Sequence, residues 1–137
     1  MGASRPAGAG GGRREVVAAD ALEGERVVDR RGEDLGTVEE LMIDVQRGTV
    51  AYAVVSRPAI PAAGERMFAV PWSALAYDTG LGCFVLEVDP ERLERAPGFD
   101  RDHWPAMADA AWAAGVHEHY GVRPDWSEAP ARPRGAG

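Results

Sequence analysis

Apolar residues in this chain fall in short alternating runs as far as Leu93 and at helical spacing beyond it. In Val38 to Val45, Leu41, Ile43 and Val45 share one face while Glu40, Met42 and Asp44 share the other, the alternation of a half-buried strand. Gln46-Arg47-Gly48 is a tight turn whose glycine is free to take a positive φ, and the β-branched and aromatic run Thr49 to Ser56 follows it. The two runs predict a hairpin. Arg26 to Asp29 predicts a shorter strand closed by Arg30-Arg31-Gly32-Glu33, and Asp34 to Thr37 leads into Val38. Arg57 to Glu65, with two prolines and a glycine, reads as a loop. Met67 to Val70 is the next strand, stopped by Pro71. Trp72 to Tyr77 has room for a helical turn and a brief strand. Asp78 to Gly82 turns into a last strand, Cys83 to Val88, with Phe84, Leu86 and Val88 on one face.

Beyond that strand the pattern changes. Asp89 and Pro90 read as the cap and first position of a helical start, with acid in its first turn. Pro97 to Pro105 is irregular. Asp109 to His119 reads as one helix, capped by Asp109 and stopped by Gly121, with Trp112, Val116 and Tyr120 on a single stripe. Five to six short strands without alternating helices predict a mainly β chain, a small closed or nearly closed barrel with a C-terminal irregular and helical extension. Residues 1–14, rich in Gly, Ala, Pro and Arg, read as a flexible tail, 15–95 as the barrel domain and 96–128 as the aromatic-rich extension. Residues 129–137 read as a second flexible tail. The extension is expected to pack on its own barrel or on a partner subunit.

Composition narrows the partners. The 137 residues carry a formal net charge of −7, and both nucleic acid and an anionic membrane call for a basic face. Nucleic acid is therefore not an expected partner. No apolar run approaches the ~20 residues that span a bilayer, and the N-terminus has no hydrophobic signal core, so no membrane insertion and a cytoplasmic location are expected. All the basic residues are Arg, a composition bias rather than a functional signal.

Four ordered blocks are recognisable. Gly24 to Asp29, Gly32 to Asp44, Gly48 to Ser56 and Phe68 to Leu75, with their turn glycines, together resemble the PRC-barrel family over about Ala21 to Leu93. The stretch from Pro97-Gly98-Phe99-Asp100 through Trp104-Pro105 and Trp112 to Tyr120-Gly121 is similar to the extension of stand-alone bacterial members. The resemblance implies a small β-barrel that serves as a protein-interaction module, with no shared catalytic residues and no cofactor. Family members include the cytoplasmic domain of the photosynthetic reaction centre H subunit and the C-terminal domain of a ribosome maturation factor. An accessory role in a membrane electron-transfer complex and a ribosome-assembly or RNA-linked role are therefore the alternatives to a plain adaptor.

Candidate chemistry is sparse. Glu33, Asp34, Glu39, Glu40 and Asp44 could offer oxygens to a hard cation, but no loop of closely spaced Asp and Asn ligands accompanies them, and they read as a solvated face. His117 and His119 diverge on a helix and do not form a metal pair; His103 stands apart. Ser73 lacks the flanking glycines of a nucleophile elbow, and Cys83 reads as a buried strand thiol. Trp72 reads as core. An enzyme is not expected. The expected function is assembly, with a homodimer formed through the exposed hairpin face and the aromatic extension. Met42, Trp104, Trp112, Tyr120 and Trp126 are the candidate interface residues.

Overall fold

A computed structural model of the chain describes residues 16–58 and 65–124. The two terminal tails, Trp126 and the middle of the Arg57–Glu65 loop lie outside the described residues. After a short helix, α1 (Ala19–Leu22), come β1 (Arg26–Val28), β2 (Asp34–Asp44), β3 (Thr49–Pro58) and β4 (Glu65–Pro71). A single 3₁₀ turn, Trp72–Ala74, then leads into β5 (Leu75–Asp78) and β6 (Cys83–Leu86). Two helices close the order, α2 (Pro90–Glu94) and α3 (Ala110–Tyr120).

All six strands join one curled sheet in the order β4-β3-β2-β1-β6-β5. Every neighbouring pair is antiparallel except β1 with β6, which run parallel. The sheet forms a half-barrel. Its edge strands β4 and β5 do not pair; the 3₁₀ turn joins them at a corner, where the Glu87 N–H donates to the Ala74 carbonyl at 2.8 Å.

Cross-strand register fixes what each face carries. Val55 lies opposite both Val38 and Phe68, Ala53 opposite both Leu41 and Val70, and Phe84 opposite both Val27 and Tyr77. These side chains fill the interior of the curl, where Phe84 is 0% exposed and meets the rings of Trp72 and Tyr77 edge-on at 5.7 and 4.9 Å. Val38 and Leu41 are three apart, yet both point inward. A bulge at Glu39 takes up the extra residue, and a second at Ala51 compensates on β3.

Gly36 makes the tight coiling possible. A Cβ there would stand 2.5 Å from the Ser56 carbonyl oxygen and 2.9 Å from a Val55 methyl, so β2 and β3 approach too closely for any side chain. The predicted alternation holds for Leu41 and Ile43, of which only Leu41 is buried, while Val45 falls in the turn beyond β2. The hairpin overruns the core, leaving Ile43 50% and Val45 82% exposed.

Alternation along β3 and β4 directs Tyr52, Val54, Met67 and Ala69 to the opposite face. The extension covers that face. Asp109 caps α3 by accepting from the Ala111 N–H at 2.9 Å, and Gly121 ends it in the left-handed region at φ 73°. Val116 and Tyr120 are buried, and Trp112 packs edge-on against Tyr52 with ring centroids 5.3 Å apart. Two backbone bonds of 2.9 Å exchanged between Phe99 and Met67 pin the irregular segment to the free edge of β4.

Candidate functional site

Met42 and Trp112 each adjoin Tyr52, while Trp104 and Tyr120 have other surroundings. Met42 is half-buried opposite Tyr52, whose ring meets Trp112. Tyr120, at the far end of α3, is 2% exposed and belongs to the core. Trp104 is 38% exposed; its indole N–H donates to the Arg101 carbonyl at 2.6 Å, and its ring rests on Phe99. Trp126 lies outside the described residues.

Two apolar surfaces emerge. The first is the tip of the β2–β3 hairpin. There the Asp44 carboxylate accepts from the Gln46 and Arg47 N–H groups at 3.1 Å each, and Gly48 closes the turn on the Asp44 carbonyl at 2.8 Å. The turn is thus fixed in shape. It holds the exposed Ile43 and Val45 clear of the body, next to half-buried Met42 and Val50.

The second is a groove of about 430 Å³ between α3, the Ala96–Phe99 segment and β4. Trp112, Gly115 and Val116 form one wall, Pro97 and Phe99 the other, and Ala69 the floor. His119 stands at its end. The His119 Nε2–H donates to the Arg92 carbonyl at 2.6 Å, and the Arg92 guanidinium donates back to the His119 carbonyl at 2.9 Å, tying α2 to the end of α3. Neither this reciprocal pair nor the groove was legible beforehand. The small residues Pro97-Gly98 and Gly115 are the signal that could have shown where backbone and helix approach each other. Gly98 sits so close to Arg66 and Phe68 that a Cβ would come within 2.9 Å of both.

The remaining candidates have local partners. His117 is 3% exposed, and its Nδ1–H donates to the Ala113 carbonyl at 2.9 Å, while its ring packs on Tyr52. His103 is exposed beside Asp100. Glu39 accepts from the Ser56 hydroxyl at 2.8 Å and faces Arg101 at 3.8 Å, and Asp34 faces Arg26 at 3.7 Å. Cys83 is buried and Ser73 exposed on the 3₁₀ turn. Among the described residues no three His, Cys, Asp or Glu side chains gather to hold a metal ion. Among the described residues the buried Tyr120 hydroxyl finds no hydrogen-bond partner. Burial pushes its phenol far above the ordinary tyrosine range, and the charge of Arg57 opposes that shift.

No helix among the described residues is long and apolar enough to cross a membrane. Among solved structures, the chain is similar to a protein from Pseudomonas aeruginosa named as the 16S ribosomal RNA processing protein RimM. The two are 21% identical, with a TM-score of 0.35, over 55% of this chain and 45% of that one. The chain thus spans under half the length of that relative. No curated protein matches it. The pattern of the PRC-barrel domain matches residues 14–93, more than half of the sequence and all six strands. The chain belongs to the PRC-barrel domain family.

Proposed function

We propose that this chain is a non-enzymatic adaptor that self-associates through the tip of its β2–β3 hairpin. One observation carries the reading: a hairpin tip locked by the Asp44 carboxylate presents Ile43 and Val45 to solvent. Exposed aliphatic side chains on a rigid element lose little entropy on association, so the tip is preorganised to bind. The net charge of −7 disfavours the RNA-linked alternative. Family membership supports a protein-interaction module in general, and the proposed place of action is the cytoplasm.

Sedimentation over a concentration series tests the reading. The wild-type chain should pass from monomer to dimer in the micromolar range. Ile43→Arg should shift that transition at least tenfold upward while leaving the monomer's unfolding free energy within about ±0.5 kcal/mol, as for a surface change. A wild-type chain that stays monomeric at millimolar concentration would sink the proposal.

A further inference from the structure

The groove under α3 contains more than apolar walls. Successive residues of a strand turn their backbone groups to opposite sides, and Met67 turns its N–H and C=O outward to Phe99. Ala69, two residues on, turns its N–H and C=O the same way, onto the groove that it floors. Continuing the Met67–Phe99 register would bring Pro97 opposite Ala69. Proline has no N–H to donate, and the pairing stops at the isolated Met67–Phe99 bridge. Among the described residues no hydrogen bond reaches the outward groups of Ala69. One strand edge is thus left open inside a cavity of the size that holds ligands.

We propose that the groove takes an extended, uncharged peptide segment of a partner protein, which adds to β4 at Ala69 and continues the edge pairing that Phe99 begins at Met67. The occupant follows from the groove's chemistry. An N–H and a C=O of one strand residue, side by side, are matched by the C=O and N–H of an antiparallel peptide residue. The lining holds no carboxylate and no guanidinium, so a charged side chain would enter without a partner, while aliphatic and aromatic ones meet Phe99, Trp112 and Val116. Pro71, the next outward residue of β4, has no N–H, which limits the open edge to Ala69. The surface is separate from the hairpin tip, and the inference goes beyond self-association.

The full chain, titrated with the capped peptide acetyl-Ser-Val-Phe-Val-Ser-amide and followed by NMR, provides the test. Amide exchange at Ala69 should slow at least tenfold at saturation. The same peptide N-methylated at its phenylalanine should bind at least tenfold more weakly, because it cannot donate to the Ala69 carbonyl. Gly115→Leu fills the groove without strain, since nothing lies within 4 Å of where the Cβ would stand. That variant should lose peptide affinity at least tenfold with no fall in its melting temperature. An Ala69 amide that is already protected in the free chain, or is unmoved by millimolar peptide, overturns the proposal. Equal binding of the N-methylated peptide, or of wild type and Gly115→Leu, overturns it too.

Discussion

The interior of the curl and the face beneath the extension are both buried, but by different means. The interior lies within the curl of the half-barrel, where buried side chains from every strand form one core that includes the fully enclosed Phe84. The other face, with Tyr52, Val54, Met67 and Ala69, is covered by one helix and an irregular segment held to the sheet edge by a single pair of backbone bonds. That cover is imperfect: it leaves a groove of about 430 Å³ and a buried hydroxyl without a partner among the described residues. In this chain the inside of the curl is filled mainly by the sheet's own side chains, whereas the outer face is covered by a lid, the extension. The imperfect packing of the lid is what makes a binding surface possible there.

The largest test removes the lid. Ending the chain after Leu93 uncovers the second face and deletes Val116 and Tyr120. At about 1.5–3 kcal/mol for each large apolar side chain returned to water, the loss is on the order of 5 kcal/mol or more, comparable to the whole stability of a small domain. Urea melts should show no cooperative transition for the shortened chain. A sharp transition near the wild-type midpoint would erase the distinction between the two faces.

Point substitutions sharpen the same contrast at smaller scale. Phe84→Ala opens a cavity in the closed interior and should cost about 3–5 kcal/mol by denaturant melts. Trp112→Ala removes a larger ring, but one that is only half-buried at the lid, and should cost about 2 kcal/mol. Equal losses would mean that the lid is packed as tightly as the interior.

Most of the interior was legible because its chemistry is local. β-branched runs, turn glycines and the Asp109 and Gly121 stops each act within a few residues, and the six strands and α3 formed near where their patterns placed them. The short α1 was not foreseen, β3 and β4 reach into the expected Arg57–Glu65 loop, and the last strand ends at Leu86, short of Val88. What could not be read depends on residues far apart in the chain. The bulge at Glu39 lets Val38 and Leu41 share a face although they are three apart, and it is set by pairing with β3. Whether Ile43 and Val45 are covered depends on how far the hairpin overruns the core, a matter of overall shape. The groove arises where Pro97 breaks a pairing with Ala69, 28 residues earlier, and the Arg92–His119 tie joins two helices that no periodicity connects. Aromatic residues in the extension did mark it as part of a hydrophobic contact. Their division into core (Tyr120), lid (Trp112) and surface (Trp104) came only from the packing.

The smallest effect concerns the Tyr120 hydroxyl, the point where the lid differs most from the interior in kind. Burial without a hydrogen-bond partner among the described residues is an uncompensated cost, so Tyr120→Phe should stabilise the chain, by about 1 kcal/mol at neutral pH. The same burial makes a prediction about alkali. In the unfolded chain the phenol ionises near the ordinary value of about 10, whereas in the folded protein burial holds it neutral to much higher pH, with Arg57 opposing only part of the shift. Above pH 10 the unfolded state therefore binds fewer protons than the folded one, and stability falls as the pH rises. Tyr120→Phe has no such group, so its advantage over wild type should be constant below pH 10 and widen above it. Paired urea melts at pH 7 and pH 10.5 read both effects as one difference, in which the contributions of the other tyrosines cancel. A Phe variant that is less stable than wild type at pH 7 would show that the hydroxyl has found a partner, and that the lid is as well satisfied as the barrel it covers.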